Sequence, residues 1–309
     1  MEARHMNFTF RQLKAFEAVA RNLSYTRASE ELHLTQPAVS MQIKQLEEHV
    51  GLPLFEQIGK RIYLTDAGKE LYHYSCAIAN QLAEVEMVLN EMKGLRRGHL
   101  NIAVASTANY FVPRLIAAFH RRHQDISVTL EVTNRESLLK LLEMNAMDLA
   151  IMGQPPSGEP AAHPFLENPL VIIAPPDHPL ARESNIPVSR LATEHFVVRE
   201  EGSGTRGAAE RFFETHGITL QATQQMHSSE AIKQAVEAGL GLGLLSLHTL
   251  EMELILKRLV VLDVEGFPIQ RQWYVVHPRG KRFSGVAQAF MKFTLEEAGH
   301  LLKTPEWRN

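Results

Sequence analysis

The sixteen residues from Thr35 to Val50, TQPAVSMQIKQLEEHV, decide the fold of the N-terminal part of the chain. Thr35 is a favourable N-cap, and Pro37 lies in the first helical turn, where a missing N–H costs little. Apolar side chains recur at helical spacing at Val39, Ile43, Leu46 and Val50. The stretch therefore predicts an amphipathic helix with a defined start.

The other face of this helix carries side chains that can contact DNA. A helix that enters the major groove with its N-terminus first can read base edges with Gln and Ser side chains. The predicted DNA-contacting residues of the helix are Thr35, Gln36, Pro37, Ser40, Met41 and Lys44. An ordinary solvated surface helix would have a similar sequence, so the flanking residues are needed to distinguish it from a DNA-recognition helix.

The preceding segment favours a DNA-recognition helix because it completes a helix-turn-helix. A helix from Phe10 to Arg21 begins with Thr9 and Gln12 at capping-box spacing, and a shorter helix from Tyr25 to Leu32 follows. Only two residues separate Leu32 from Thr35, which is as short a connection as a helix-turn-helix requires.

A hairpin is predicted after the same helix. Gly51 ends the helical pattern, an extended segment begins at Leu54, and Gly59 offers a turn before the returning strand Arg61–Leu64. This pattern is typical of the wing of a winged helix, with Lys60 and Arg61 at its tip as predicted phosphate or minor-groove contacts. A charged hairpin tip that is merely solvated is the alternative.

Charge does not itself point to nucleic acid. The whole chain carries a formal charge of −3, and residues 7–65 hold seven Lys and Arg against six Glu, so the DNA hypothesis depends on motif geometry. So few cations predict a modest salt dependence of binding for each subunit.

A long helix is predicted from Asp66 to Leu95 because no proline or strong turn occurs before Gly94. Its apolar residues are spaced about 3.5 apart on average, which is the coiled-coil period and predicts pairing of two subunits. These predicted dimerisation residues are Leu71, Tyr74, Ile78, Leu82, Val85, Leu89 and Met92. The alternative is a helix packed on its own domain.

Beyond a hinge at Gly94–Gly98, strands and helices alternate, which predicts parallel βαβ units in two lobes. Two crossovers between the lobes, at Pro155–Pro164 and Gly266–Pro268, would leave a cleft lined by strand ends and helix N-termini. Hydroxyl groups, helix dipoles and arginines there favour an anionic metabolite as the ligand. The predicted ligand-binding residues are Ser106, Thr107, Asn134, Arg135, Gly202, Ser203, Thr205 and Arg206.

Several segments together resemble the LysR-type transcriptional regulators over the whole chain. They include LTQPAVS at 34–40, GLPLF at 51–55, RGHL at 97–100 and DLAI at 148–151. Narrower segments, MQIKQLE at 41–47, EQIGK at 56–60, GSGTR at 202–206 and VLDVEGFP at 261–268, resemble the Calvin-cycle branch, the activators of RuBisCO operons. One departure is Met41, because many members of the family have Arg there.

The resemblance implies a fold and a function. The fold is α+β multidomain: an N-terminal winged helix-turn-helix (6–65), a linker and dimerisation helix (66–95) and a two-lobed, periplasmic-binding-protein-like effector domain (96–309). Lobe I would comprise 96–164 and 269–309, and lobe II 165–268. The implied function is activation of carbon-fixation genes by a homodimer or homotetramer that binds promoter DNA and contacts RNA polymerase. The implied effectors are a sugar phosphate, phosphoenolpyruvate or NADPH, with no resident cofactor.

Other features set the limits of this prediction. Residues 1–5 are interpreted as the remnant of a cloning junction, with the natural start at Met6. One cysteine, no signal peptide and no long apolar run predict a cytoplasmic protein without a membrane partner. His120 and His123 lack nearby carboxylates, so no metal is expected.

Three alternatives stay open at this stage. A LysR-type regulator of another operon would sense an aromatic acid or an amino acid instead of a phosphate. A solute-binding protein would use the same two lobes, and an enzyme would need a catalytic constellation that the sequence does not display.

Overall fold

The computed structural model describes residues 8–59, 61–92, 98–156, 158 and 160–302, with only the backbone of residues 80, 83, 84, 86–92, 222 and 223. Residues 1–5, Lys60 and positions 94–97 of the predicted hinge lie outside the described residues. The chain forms two compact units, and the boundary between them falls between Leu89 and Asn90.

The N-terminal unit contains the predicted helices and hairpin. Its elements are α1 (Phe10–Asn22), α2 (Tyr25–Glu31), α3 (Gln36–Val50), β1 (Phe55–Ile58), β2 (Arg61–Leu64) and α4 (Asp66–Met92). The backbone N–H of Gln12 donates to Thr9 Oγ1 at 3.3 Å, and that of Thr9 donates to Gln12 Oε1 at 2.7 Å. The predicted capping box at the start of α1 is therefore confirmed.

The core of this unit lies between the three short helices. Phe16, Val19, Val39, Ile43 and Leu46 are buried there, so the apolar face of α3 points inward and its polar face points outward. The α3 helix ends at Gly51, whose φ of 77° is the left-handed conformation that glycine adopts without strain.

A glutamate side chain joins the end of α3 to the wing. Glu47 Oε1 accepts the backbone N–H groups of Leu54 and Phe55 at 2.8 and 3.3 Å. β1 and β2 then pair antiparallel from Phe55 opposite Leu64 to Ile58 opposite Arg61. These hydrogen bonds fix the position of the wing relative to α3.

The C-terminal unit has two lobes, each built on a five-stranded mixed sheet. Lobe I contains β3 (Gly98–Ala105), α5 (Val112–Arg122), β4 (Ile126–Thr133), α6 (Arg135–Glu143), β5 (Leu149–Met152) and β6 (Ala161–Glu167). Lobe II contains β7 (Leu170–Ala174), β8 (Phe196–Arg199), α7 (Gly204–Thr215), β9 (Ala222–Met226), α8 (Ser229–Glu237), β10 (Leu242–Ser246), α9 (Glu251–Ile255) and β11 (Val260–Val261). The chain returns to lobe I with β12 (Gln272–His277) and α10 (Gly285–Leu301).

The two lobes repeat one topology. The strand orders are β4-β3-β5-β12-β6 in lobe I and β11-β7-β10-β8-β9 in lobe II. In each lobe the first parallel strand, β3 or β8, lies between the two parallel strands that follow it in the chain. These parallel pairs are the predicted βαβ units, and the remaining strands pair antiparallel, which makes each sheet mixed.

The boundary of lobe I also needs correction. The predicted crossover ends at Pro164, but β6 continues to Glu167 and pairs with β12, so the crossover falls at residues 168–169. The segment was missed because Ala161, Ala162 and Pro164 have low strand propensity. β6 lies at the edge of its sheet, where proline is tolerated because no neighbour requires its N–H.

Candidate functional site

The exposed face of α3 carries the predicted DNA contacts. Thr35 Oγ1 accepts the backbone N–H of Ala38 at 3.4 Å, which is an N-cap bond that fixes the start of the helix. Gln36, Pro37, Met41 and Lys44 are exposed. Gln36 Nε2 donates to Ser40 Oγ at 3.0 Å, so the two side chains predicted to read bases lie together one helical turn apart.

At the tip of the wing, Arg61 is exposed at the first position of β2. Gly59, just before it, has a φ of 64° and supplies the left-handed turn residue of the hairpin. Lys60 lies outside the described residues, so only Arg61 of the predicted pair has a place in the structure.

The predicted dimerisation stripe divides into two parts. Leu71 packs against the core of the N-terminal unit and belongs to that domain, which corrects its assignment. Tyr74, Ile78, Leu82 and Val85 are exposed, between 38% and 61%, along one helix. Leu89 and Met92 have side chains outside the described residues. Four exposed large apolar side chains at coiled-coil spacing are the expected pattern of a helix that pairs with another copy.

A cavity lies between the two lobes of the C-terminal unit, where β3 and β8 end. Its volume is about 40 Å³. Arg199, the last residue of β8, donates from Nη2 to Ser106 Oγ at 3.2 Å and so joins lobe II to lobe I. The principal polar residues of its wall are Ser106, Thr107, Arg135, Gln154, Asn168, Arg199, Glu200, Ser203, Thr205, Ser246 and Arg271.

Arg271 bridges the lobes without a carboxylate partner among the described residues. Its guanidinium donates to the backbone oxygens of Gly204 at 2.7 Å and Gly153 at 2.6 Å, and to Gln154 Oε1 at 3.3 Å. Burial, together with the smaller effect of the nearby cations Arg211 and Arg135, lowers the pKa of Arg271 to about 10. A positive charge held in this way is stabilised by any anion that enters the cavity.

Arg199, in contrast, has an internal counterion. The fork of its guanidinium donates to both carboxylate oxygens of Glu200 at 2.7 Å, and both side chains are largely buried. Arg135 also lines the cavity, and its buried Nε has no hydrogen-bond partner within the described ranges. Three arginines and one glutamate give the wall a formal charge of two positive units.

The structure brings five of the eight predicted ligand-binding residues into this wall: Ser106, Thr107, Arg135, Ser203 and Thr205. Asn134 is instead a helix cap, because its Oδ1 accepts the N–H of Ser137 at 2.9 Å. Gly202 and Arg206 line an adjacent outer groove. Arg206 is held there by Glu210 at 2.7 Å and Gln225 at 2.6 Å, so its assignment to the cavity is corrected.

Neither Arg271 nor Arg199 was among the ligand-binding residues predicted from the sequence. Arg199 ends a strand at the edge where such folds bind ligands, and that rule alone could have selected it. Arg271 follows the second crossover and belongs to no local motif.

Among the residues that the structure describes, no helix is long and apolar enough to cross a bilayer. No cluster of three or more His, Cys, Asp or Glu side chains among those described residues is arranged to hold a metal ion.

A winged helix-turn-helix followed by a two-lobed α/β domain with an anion-attracting cavity defines a ligand-responsive transcription regulator. A model of the LysR substrate binding domain matches residues 93–299, and one of the bacterial regulatory helix-turn-helix protein, lysR family, matches residues 10–69. The chain belongs to the LysR family of transcriptional regulators and is not an enzyme.

Similar proteins narrow the comparison. A RuBisCO operon transcriptional regulator of Allochromatium vinosum is 59% identical over 297 residues, 96% of this chain and 98% of that protein. A RuBisCO operon transcriptional regulator of Acidithiobacillus ferrooxidans is 48% identical over 294 residues, 95% of this chain and 94% of that protein. The solved regulatory domain of Synechocystis PCC6803 CcmR, in complex with 2-PG, is 41% identical with a TM-score of 0.64, covering 68% of this chain and 100% of that one.

Proposed function

We propose that this chain activates transcription of carbon-fixation genes, such as a RuBisCO operon, when a phosphorylated metabolite binds between its two lobes. The observation that carries the proposal is the cavity wall with two net positive charges. The relatives that share the whole length of the chain support the choice of operon.

The charge of the wall favours a particular kind of ligand. A phosphate monoester carries a charge of about −1.5 to −2 at neutral pH and offers three acceptor oxygens. Guanidinium groups bind such oxygens in a bidentate manner, and Arg271 has no competing carboxylate among the described residues. An aromatic or amino acid carries a single carboxylate, which would leave part of this charge uncompensated.

The candidate effectors are therefore 2-phosphoglycolate, as in the CcmR complex, phosphoenolpyruvate, a sugar phosphate or NADPH. The proposed binding residues are Ser106, Thr107, Arg135, Ser203 and Thr205, together with Arg199 and Arg271. Glu200 occupies the Nε and Nη2 groups of Arg199, so a ligand that uses those two groups has to displace this carboxylate.

Promoter recognition is proposed for the exposed face of α3 and the tip of the wing. The DNA-contacting set is Thr35, Gln36, Pro37, Ser40, Met41, Lys44, Lys60 and Arg61. Pairing through Tyr74, Ile78, Leu82 and Val85 would give a homodimer, and a homotetramer would follow from a second interface. The proposal includes contact with RNA polymerase and a cytoplasmic location, because an activator has to reach the chromosome.

The test measures binding of the full chain to its carbon-fixation promoter by fluorescence anisotropy, with and without 2-phosphoglycolate, phosphoenolpyruvate, ribulose 5-phosphate or NADPH. At least one phosphorylated compound is expected to change DNA affinity or the footprint, and benzoate is not. Gln36→Ala and Ser40→Ala are each expected to weaken specific binding by about tenfold. His49→Ala, at the exposed far end of α3, is the matched control. Unchanged affinity in both variants would refute the assignment of α3.

A further inference from the structure

Three buried polar atoms in the cavity wall have no hydrogen-bond partner among the described residues. They are Asn168 Oδ1, Ser246 Oγ and Trp273 Nε1. The three residues are only 3%, 1% and 1% exposed, so surrounding solvent does not supply the missing bonds. Buried polar groups are normally paired, and a group of unpaired ones in a binding cavity indicates where a ligand makes its bonds.

The three residues come from both lobes and from the crossover between them. Trp273 lies on β12 of lobe I, Ser246 ends β10 of lobe II, and Asn168 lies in the crossover. Gly153 faces two of them: a Cβ built on it would lie 2.7 Å from Asn168 Nδ2 and 3.5 Å from Trp273 Cζ3. Glycine at this position therefore keeps that part of the cavity open.

The unpaired atoms define the chemistry of their partner. The indole N–H of Trp273 only donates, so it requires an acceptor, whereas Asn168 Oδ1 only accepts and requires a donor. The hydroxyl of Ser246 serves in either role. A ligand hydroxyl both donates and accepts, so it supplies either kind of partner that these atoms lack. A carboxylate supplies no proton to Asn168, and a methylene group supplies nothing.

We propose that Asn168, Ser246 and Trp273 form a hydroxyl subsite of the cavity, so that the effector is a phosphate ester with a free hydroxyl on its carbon chain. This inference rests on the proposed function, since the arginines of the same wall would hold the phosphate. It favours the hydroxylated candidates, sugar phosphates and NADPH, over 2-phosphoglycolate and phosphoenolpyruvate, which have no free hydroxyl and which the arginines alone do not distinguish from them.

The test compares two ligands that differ by one hydroxyl group. Isothermal titration of the full chain measures the Kd for 3-phosphoglycerate and for its 2-deoxy analogue, 3-phosphooxypropionate, which has the same length and the same ionisable groups. The hydroxylated ligand is expected to bind about ten- to a hundredfold more tightly, because the analogue leaves buried polar atoms unpaired. Inorganic phosphate serves as the probe of the arginines alone.

Two variants locate the effect. Ser246→Ala and Trp273→Phe are each expected to reduce the ratio of the two Kd values severalfold, with little change in the affinity for inorganic phosphate. Trp273 lies in a core, so circular dichroism checks its variant for folding, and Ser246→Ala tests the subsite with a smaller change.

The outcomes separate this inference from the proposed function. Equal Kd values for the two esters in the unmodified chain would overturn the hydroxyl subsite and leave the phosphate site standing. A preference that persists in both variants would overturn the assignment to these residues. If neither ester nor inorganic phosphate binds, both the subsite and the proposed effector class are wrong.

Discussion

Replacing Arg271 with Gln tests whether an uncompensated cation attracts the effector. The lowering of the Arg271 pKa to about 10, from the ordinary value of an arginine, corresponds to a cost of about 3 kcal/mol for holding this charge without a counterion. A phosphate bound beside it removes most of that cost. Arg271→Gln is therefore expected to raise the Kd for a phosphorylated effector by about a hundredfold, since 1.4 kcal/mol corresponds to a factor of ten.

The assay is isothermal titration of the full chain with 2-phosphoglycolate or 3-phosphoglycerate at low and moderate salt. Arg206→Gln is the matched control, because Arg206 is paired with Glu210 and does not line the cavity. Its Kd is expected to stay within about threefold of the unmodified value, since a charge already paired with the half-exposed Glu210, outside the cavity, contributes little to ligand binding. The opposite ranking, with Arg206→Gln weakening binding and Arg271→Gln leaving it unchanged, would refute the charge argument.

Two further predictions concern the linker helix and the response to pH. Leu82→Glu is expected to raise the dimer dissociation constant, measured by sedimentation velocity, by about tenfold or more. Gln81→Glu, which adds the same charge at the exposed neighbouring position, is expected to leave that constant unchanged. Equal effects of the two substitutions would exclude a contact specific to the apolar stripe. Burial lowers the pKa of His277, whose Nε2 lies 3.2 Å from that of His163, so the folded state binds fewer protons than the unfolded chain below about pH 6.5. The unfolding temperature should therefore fall between pH 7 and 5 in calorimetry, and His277→Asn should reduce that fall; an unchanged slope would contradict the assignment.

Local signals in the sequence were sufficient for the N-terminal unit. The Thr9 and Gln12 pair, the N-cap Thr35 and the spacing of Val39, Ile43 and Leu46 depend on neighbours within one or two helical turns. Such interactions are fixed by residue spacing, and the structure has the helices where the spacing predicted them. Leu71 was misassigned because its contact is tertiary: it packs on helices that lie far away in the sequence.

The difference between local and tertiary contacts also explains which residues of the cavity were predicted. Ser106, Thr107, Ser203 and Thr205 follow strand ends and were found by that rule. The direction of a long side chain is not encoded at its own position, so Arg206 was chosen although Glu210 and Gln225 draw it to an outer groove. Arg271 was missed because its partners, Gly153 and Gly204, are brought to it only by the packing of both lobes.

The size of the cavity has a consequence for the direction of the response. A volume of about 40 Å³ is well below the roughly 300–1,000 Å³ of pockets that enclose small organic ligands. A phosphate ester therefore enters only if the lobes separate or Glu200 moves away from Arg199. Entry by separation of the lobes would make the effector a spacer that holds the lobes apart, whereas entry by movement of Glu200 would leave the lobes in place. Part of the free energy gained when the effector binds the arginines is used to drive the movement that admits it. Only that part can shift the conformation of the rest of the protein.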